Sequence, residues 1–397
     1  MTPRLPLAHL GGLTADEFLR DYWQKKPLLV RNAFPDIPAL VGRDDLIELS
    51  QEEGIEARLV LEKGGKSPWE LRKGPFSPRQ FKQLPKTHWT LLVQAVDHYL
   101  PELAAYWDAF RFIPGWRTDD IMISYAPEGG SVGPHYDQYD VFLVQGAGQR
   151  RWQLGAQCDQ HSPRLDGTPL RILRDMPVTF DETVNPGDLL YVPPGLAHYG
   201  VSQNECLTFS FGFRAPVLSH VLEQLVDAAL EAAGSDRLYA DPGLQPQANP
   251  GWINPAHLQA LKTQVLELLR DHTRLDTVLA PFLSEPKYPD YEPVGEAISP
   301  DELLDVLQAG ALICRDPASR MLYLGEAGHA DRLFINGEAV EDLPDGRFVA
   351  LLVDHRQLDE AHLRDWLAET NNLTWLCEQI EQGYWLILGE GEEEYDE

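Results

Sequence analysis

Hydrophobic and polar positions in the N-terminal part of the chain indicate a mixture of helical and extended segments. Thr14 and Glu17 form a capping-box pattern, in which the two side chains accept hydrogen bonds from free backbone N–H groups at a helix start. We predict a helix from this point to Pro27, followed by a short strand over 28–31. Apolar residues then recur at helical spacing over 89–110, which predicts a further helix.

The pattern changes to short β segments between about residues 120 and 214. Glycine and proline turns separate these segments, and several of them combine β-branched with aromatic residues. The segments are IMISYA (121–126), DVFLVQ (140–145), RRWQLG (150–155), DLLYVP (188–193) and LTFSFGF (207–213). Many short strands without intervening helices predict an antiparallel sandwich or barrel rather than a βαβ fold.

Two helices with apolar stripes are predicted after Pro216. The first stripe runs from Val217 to Ala229. The second helix begins at Asn254-Pro255, where asparagine is a good N-cap and proline suits the first helical position, and its stripe extends to Leu269. These stripes must be buried, either against their own domain or in a dimer interface.

A small α+β unit follows a proline-rich linker over 285–293. A capping-box pattern at Ser299 and Glu302 begins its first helix. We predict strands near 311–315, 320–324, 332–335 and 384–388, and helices near 347–354, 359–369 and 373–382. The acidic tail over 391–397 is predicted to be solvated.

Charge and cysteine content narrow the classes of partner and compartment. Lys and Arg total 33 against 62 Asp and Glu, which gives a net charge of −29. Such a surface repels phosphate backbones and attracts basic proteins, so we expect no direct nucleic-acid binding. The four cysteines form no CxxC pair, and neither a signal-peptide pattern nor a membrane-length apolar run occurs. A cytoplasmic location without membrane association is the expectation.

Three residues form a candidate metal site. His135 and Asp137 are two apart at the start of a strand, so their side chains can project from the same face. The turn Pro193-Pro194-Gly195 delivers His198 to the start of another strand. Two histidines and one carboxylate are the ligand set of non-haem iron(II) oxygenases, which leaves open positions for cosubstrate and dioxygen.

An HxD pair alone is a weak signal, since His329 and Asp331 form a second one. We expect no metal at that second pair, because no turn-delivered histidine follows it. The first pair differs, because the run from Gly187 to His198 has the spacing of the second cupin motif and His135 stands as in the first motif, with HxD in place of HxH.

Arg150 is a candidate ligand for the remote carboxylate of a dicarboxylic cosubstrate such as 2-oxoglutarate. A guanidinium neutralises such a carboxylate at depth with a bidentate hydrogen bond. Strand alternation allows only one of Arg150 and Arg151 to face inwards, and its position favours Arg150. The hydroxyl of Ser124 is a candidate second hydrogen bond to the same ligand.

These segments together resemble the ribosomal oxygenases, a JmjC subgroup of the 2-oxoglutarate oxygenases. The resemblance is carried by YWQKKPLL (22–29), HWTLLVQAVDHY (88–99), WRTDDIMIS (116–124), GPHYDQYDVF (133–142), GDLLYVPPGLAHYG (187–200) and SFGFRAP (210–216). It implies an α+β fold: a JmjC double-stranded β-helix (jelly-roll or cupin) catalytic domain with N-terminal helices over 1–215, a helical dimerisation domain over 216–290 and a winged-helix-like domain over 291–390. By motif, His135, Asp137 and His198 are the iron(II) ligands, and Arg150 and Ser124 hold 2-oxoglutarate.

The resemblance implies hydroxylation, with dioxygen, of an arginine side chain on a basic large-subunit ribosomal protein by a homodimeric enzyme. Three alternatives stay open at this point: histidine hydroxylation, demethylation, and a non-catalytic cupin that acts as an interaction module. Asp120 and Asp140 are candidates to receive the cationic head of an arginine, and Tyr136 and Tyr139 to line its alkyl chain.

Overall fold

The computed structural model describes residues 6–37, 40–233, 238–246, 249, 251–268 and 272–389. The chain divides into two compact units, Met1–Ala215 and Pro216–Glu397. The predicted acidic tail over 391–397 and Leu269 of the second apolar stripe lie outside the described residues.

The N-terminal unit is built mainly from strands. Its helices are α1 (Ala15–Asp21), α2 (Arg43–Leu49), α3 (Pro78–Lys82) and α4 (Pro101–Ala104). Its strands are β1 (Leu28–Val30), β2 (Ala57–Leu61), β3 (Glu70–Lys73), β4 (Trp89–Val93), β5 (Thr118–Ala126), β6 (Asp140–Ala147), β7 (Arg150–Gln157), β8 (Phe180–Val184), β9 (Leu189–Val192), β10 (Leu196–Ser202) and β11 (Cys206–Phe213). Short 3-10 turns cover Ala8–Leu10, Val96–His98, Ala105–Phe110 and Gly115–Arg117. All five strands predicted between 120 and 214 are present.

These strands form two antiparallel sheets that face each other. The large sheet has the order β1-β9-β6-β11-β5-β4-β2-β3, and the small sheet has the order β10-β7-β8. An apolar cluster between them takes Val141 and Leu190 from the large sheet, and Trp152 and Val184 from the small one. Because strands from distant parts of the chain alternate within each sheet, the arrangement is the predicted double-stranded β-helix.

The outer face of the large sheet is buried under the N-terminal helices. Phe142, Tyr191 and Phe213 project from this face and are fully buried. Phe18 of α1 and Phe110 pack on them, with the Phe110 and Phe142 ring centroids 4.6 Å apart. Burial of several aromatic side chains makes this face the main stabilising core of the unit.

The helix predicted over 89–110 is wrong. Residues Trp89–Val93 form β4, which lies inside the large sheet between β2 and β5 and is buried along its whole length. A strand buried on both faces loses the alternation of apolar and polar residues and becomes a continuous apolar run, which periodicity cannot distinguish from a buried helix. The short helix α4 and the 3-10 turns on either side of it supplied the rest of the apparent helical spacing.

The inner face of the large sheet is unusually polar for a buried surface. Thr90, Ser124, Gln145, Thr208 and Ser210 lie on it and are all buried. Ser124 pairs with Thr208 across β5 and β11, and Thr208 pairs with Gln145 across β11 and β6. Thr208 donates its hydroxyl proton to the Gln145 side chain at 3.0 Å, whereas the buried Thr90 hydroxyl has no hydrogen-bond partner among the described residues. Because an unpartnered buried polar group costs free energy, this face can accommodate a polar ligand between the sheets.

Helices and strands of the C-terminal unit agree closely with the sequence pattern. The helices are α5 (Leu218–Ala233), α6 (Pro255–Leu268), α7 (His272–Ser284), α8 (Pro300–Gln308), α9 (Gly346–Asp354), α10 (Glu360–Leu367) and α11 (Thr370–Glu381). The strands are β12 (Leu312–Arg315), β13 (Met321–Glu326), β14 (His329–Ile335), β15 (Glu338–Val340), β16 (Gln357–Leu358) and β17 (Trp385–Leu388). Two three-stranded sheets result, and α7, β15 and β16 are the elements that the sequence pattern did not predict.

The apolar stripes of α5 and α6 remain exposed within the chain. On α5, the side chains of Leu218, Leu222 and Leu230 are 80%, 53% and 59% exposed. On α6, Val265 and Leu266 are 53% and 52% exposed. By contrast, α7 contacts β13, β14 and β15 of the C-terminal unit. No helix among the described residues has the length and apolarity to cross a membrane.

Candidate metal centre and buried arginine

His135 and His198 are brought together by a backbone bridge at one end of the two sheets. The His135 N–H donates to the His198 carbonyl at 3.0 Å, and the His198 N–H donates to the His135 carbonyl at 2.8 Å. Gly195 donates its N–H to the Asp137 carbonyl at 2.7 Å, which ties the Pro-Pro-Gly turn to the same loop. The turn therefore positions His198 as its spacing predicted.

The side chains of His135, Asp137 and His198 converge on one point. The Asp137 Oδ2 lies 3.5 Å from His198 Nε2 and 3.9 Å from His135 Nε2. Within the described part of the chain, these three form the group of histidine, cysteine and acidic side chains that could share a metal ion, and we call them the metal group. Two donors that bind one ion at about 2.1 Å lie at most about 4.2 Å apart, so both measured distances fit a common ion.

Hydrogen bonds to backbone carbonyls fix the orientation of both imidazoles. His135 Nδ1 lies 2.9 Å from the Gly133 carbonyl, and His198 Nδ1 lies 3.0 Å from the Leu196 carbonyl. When each Nδ1 donates its proton to a carbonyl, Nε2 keeps a free lone pair for a metal. Burial and the neighbouring His135 lower the pKa of His198, which keeps its ring in the neutral form that a metal requires.

Arg150 lies in the space between the sheets, and its neighbour Arg151 lies outside. Only 3% of Arg150 is exposed, while Arg151 forms an exposed ion pair with Asp181. This alternation on β7 is the one that the sequence predicted. Arg150 pairs in register with Ser202, and His198 pairs with Leu154 on the same two strands. The four-residue separation of His198 and Ser202 places the Arg150 backbone about 13 Å along the strands from the metal group.

The Arg150 guanidinium carries a buried charge with few partners. Within the described residues it donates to the Gly200 carbonyl and the Cys206 sulfur, each at 3.5 Å, and neither group is a carboxylate. Its Nε has no hydrogen-bond partner in the part of the chain that the structure describes. A buried cation is costly unless an anion pairs with it, so the geometry fits an anionic group that enters between the metal group and Arg150.

Ser124 lies on the inner face of the large sheet, near this guanidinium. It is two residues from Ala126, which pairs with Cys206, the residue that contacts Arg150. Residues two apart on a strand project from the same face, so the Ser124 hydroxyl faces the same interior as the Cys206 sulfur.

Sequence comparisons agree with the fold and with this geometry. A JmjC domain profile matches residues 105–221, and a ROXA-like winged helix profile matches residues 267–386. A probable ribosomal oxygenase of Haemophilus influenzae is 37% identical over 403 residues, which cover 94% of this chain and 96% of the relative. The ribosomal protein uL16 3-hydroxylase of Escherichia coli is 34% identical over 94% of this chain and 97% of its own.

The chain belongs to the bacterial ribosomal oxygenases. Solved structures of the Escherichia coli ribosomal oxygenase YcfD superpose with a TM-score of 0.79 at 33% identity, and cover 96% of this chain and 99% of YcfD. One of those structures contains cobalt and 2-oxoglutarate, and another contains cobalt and succinic acid. The predicted family, the α+β fold with its winged helix, and the class of 2-oxoglutarate-dependent oxygenase with a metal cofactor are confirmed.

The two acidic candidates for substrate contact have structural partners instead. Asp140 accepts hydrogen bonds from the Tyr191 hydroxyl at 2.6 Å and from Gln24 at 2.9 Å, on the outer face of the large sheet. Asp120 is buried and accepts from the backbone N–H of Ala95 at 2.8 Å. Asp140 is therefore excluded from the space between the sheets, because strand alternation turns it toward the aromatic core.

The two tyrosines that are candidates to line the alkyl chain of an arginine substrate differ in their surroundings. Tyr136 donates its hydroxyl proton to the Asp159 carbonyl at 2.6 Å, and Tyr139 is 42% exposed.

In the second HxD pair, His329 Nδ1 lies 3.3 Å from Asp331 at an exposed strand end, with no third ligand nearby among the described residues. No sequence pattern marks Cys206, because a lone buried cysteine belongs to no motif.

Proposed function

We propose that this protein hydroxylates an arginine side chain of a basic large-subunit ribosomal protein, with iron(II), 2-oxoglutarate and dioxygen. The observation that carries the proposal is the buried Arg150, which has no carboxylate partner among the described residues and shares one interior with the His135, Asp137 and His198 group. A dicarboxylate can join these two features, since one end can chelate a metal and the other can pair with the guanidinium.

Each site residue has a distinct part in this proposal. His135, Asp137 and His198 hold the iron and leave three positions open on its other side. Arg150 pairs with the C5 carboxylate of 2-oxoglutarate, and Ser124 adds a hydroxyl hydrogen bond. Once bound, iron with 2-oxoglutarate and dioxygen supplies an oxidant strong enough to hydroxylate an unactivated C–H bond, with succinate and carbon dioxide as coproducts.

The protein itself contributes placement and exclusion of water. Side chains such as Trp152, Leu143 and Val192 line the interior with apolar groups that offer no alternative ligands. The carbonyls of Gly133 and Leu196 keep each imidazole turned toward the metal. A pre-oriented, partly dry site limits side reactions and holds the target C–H bond within reach.

The net charge of the chain and its sequence relatives support a ribosomal protein as the substrate. The net charge of −29 favours encounter with basic polypeptides and disfavours direct binding to nucleic acid. The Escherichia coli relative carries the name ribosomal protein uL16 3-hydroxylase, which supports a large-subunit protein as the target class. A cytoplasmic location follows from this substrate class, because ribosomal proteins are synthesised and assembled there.

The exposed stripes of α5 and α6 support a homodimer. Leu218, Leu222 and Leu258 are 80%, 53% and 42% exposed, so α5 and α6 both present apolar side chains to the solvent. Monomeric proteins rarely expose contiguous apolar patches of this kind, so a second copy of the chain is the proposed cover. The double substitution Leu222→Glu and Leu258→Glu should shift the mass in sedimentation analysis from dimer to monomer, and an unchanged mass would contradict this interface.

Mass spectrometry of large-subunit ribosomal proteins tests the activity. The proteins are incubated with the enzyme, iron(II) and 2-oxoglutarate, in parallel with the His135→Ala variant and a His329→Ala control. Gain of one oxygen on an arginine, lost with His135→Ala and kept with His329→Ala, is the expected result.

Other results of this experiment, and a parallel assay with methylated peptides, identify the alternatives. Gain of oxygen on a histidine would favour histidine hydroxylation, the activity in the name of relatives 27% identical over about half of this chain. Release of formaldehyde from methylated peptides would favour demethylation. No oxygen gain and no succinate would leave a metal-binding interaction module.

A further inference from the structure

The Arg150 guanidinium reaches the large sheet at Cys206, where its Nη2 donates to the cysteine sulfur at 3.5 Å. We propose that Cys206 sets the depth of this guanidinium and so selects the chain length of the dicarboxylic cosubstrate. The inference rests on the proposed role of Arg150 as the ligand of the remote carboxylate. It assigns to Cys206 the role of a positioning residue, which acts through Arg150.

Cys206 occupies the end of the interior farthest from the metal group. It begins β11 and pairs with Ala126, the last residue of β5, whereas Phe213 and Asp140 pair at the opposite end, next to the metal-binding loop. Only 1% of Cys206 is exposed. The sulfur therefore lies on the floor of the space in which an anion would meet Arg150.

The backbone around Cys206 leaves it little freedom to retreat. A Cβ built on Gly148 would lie 2.8 Å from the Cys206 Cβ and 2.0 Å from the Glu205 carbonyl. Gly148 belongs to the turn that joins β6 to β7, two residues before Arg150. The same tight turn leads into β7, which contains Arg150, and lies against Cys206. The sulfur is therefore held in place and limits how far the guanidinium can lie from the metal group.

Because the position of the guanidinium is limited in this way, the affinity for a dicarboxylic acid depends on the length of that acid. The metal group defines one end of the ligand, and the guanidinium held against Cys206 defines the other. Removal of the sulfur frees the space of one heavy atom behind Arg150, and 2-oxoadipate is longer than 2-oxoglutarate by one methylene. Discrimination of one methylene by a protein pocket typically amounts to about 10- to 200-fold.

Binding of both acids to manganese(II)-loaded protein tests the proposal without turnover. Titration calorimetry compares the wild type with Cys206→Ala, Cys206→Ser and Cys314→Ala, the last of which removes a buried cysteine from the other unit. We expect the preference of the wild type for 2-oxoglutarate to fall about tenfold or more in Cys206→Ala. It should persist in Cys206→Ser, whose hydroxyl still accepts from the guanidinium, and in Cys314→Ala.

An Arg150→Met variant distinguishes a failure of the proposed cosubstrate site from a failure of the proposed role of Cys206. If this variant binds 2-oxoglutarate as the wild type does, the proposed cosubstrate site is wrong. If it loses binding while Cys206→Ala keeps the full length preference, the role of Cys206 alone is overturned.

A measurement on the wild-type chain covers the case in which Cys206→Ala does not fold. Alkylation of the four cysteines is followed by mass spectrometry, with and without 2-oxoglutarate. Selective slowing at Cys206 with bound 2-oxoglutarate, and unchanged rates at Cys314 and Cys377, is the expected result. Equal rates at Cys206 with and without the ligand would overturn the proposal.

Discussion

Replacement of Arg150 by methionine separates ligand binding from stability at a single position. The substitution keeps much of the side-chain volume and removes a buried charge to which the described residues offer two long hydrogen bonds and no carboxylate. If Arg150 has a structural role, this change lowers the stability of the folded protein. If Arg150 serves to pair with an anionic ligand, the change lowers the affinity for that ligand instead.

The two effects can be estimated from the contacts. A bidentate pair with a carboxylate comprises two hydrogen bonds to charged groups, at about 1.5–3 kcal/mol each. Loss of both raises the dissociation constant for 2-oxoglutarate by a factor of about 10² or more. For the free protein, exchange of a poorly paired buried charge for an apolar side chain is neutral or stabilising by about 1–4 kcal/mol.

Two assays measure these quantities on the same samples. Titration calorimetry with manganese(II) gives the dissociation constant for 2-oxoglutarate, and urea denaturation of the ligand-free protein gives the free energy of unfolding. Arg151→Met is the matched control, because its side chain is on the same strand and forms an exposed ion pair with Asp181. We expect that control to change neither quantity by more than about 1 kcal/mol.

One combination of results would contradict the role of Arg150 as a ligand for 2-oxoglutarate. If Arg150→Met lowers the free energy of unfolding by several kcal/mol while its affinity for 2-oxoglutarate stays within the range of Arg151→Met, the guanidinium is a structural group. The carboxylate ligand would then have to bind elsewhere in the interior.

Further predictions concern the metal, the cosubstrate and the pH dependence of stability. His198→Ala should lose bound iron(II) or manganese(II) in metal analysis, while His329→Ala should keep the wild-type content. Ser124→Ala should raise the dissociation constant for 2-oxoglutarate about tenfold or more, since a hydrogen bond to a charged carboxylate contributes about 1.5–3 kcal/mol; an unchanged constant would contradict this assignment. Burial lowers the pKa of His9 below 6.5, so the folded state binds fewer protons there than the unfolded state and loses stability as the pH falls below 6.5. His9→Leu should flatten that dependence in denaturation measured from pH 7 to pH 5, and an identical slope would contradict it.

Much of the site could be predicted because its residues follow local rules. His135 and Asp137 share a strand face, and the Pro-Pro-Gly turn before His198 is a local feature whose outcome depends little on the rest of the chain. The choice of Arg150 over Arg151 required only the two-residue period of a strand. In the C-terminal unit, the capping box at Ser299 marked the start of α8 at the observed residue.

Where a strand pairs with strands that are distant in the sequence, its own residue pattern was insufficient to predict its structure. Trp89–Val93 became the buried strand β4 because β2 and β5 supply its hydrogen-bond partners on both sides. Asp140 was a plausible substrate contact by position, but the register of β6 turns it to the outer face with Tyr191. Neither outcome is encoded within a window of a few residues.

The family, the strands of the two sheets and the three candidate metal ligands could be predicted from the sequence, because ligand spacing, turn chemistry and strand alternation act over short stretches of chain. Packing of the two sheets sets which polar groups share the interior. The contact between Arg150 and Cys206 joins residues 56 apart, on strands of two different sheets. Such a contact exists only after the sheets pack face to face, since packing rather than local conformation brings those two strands together.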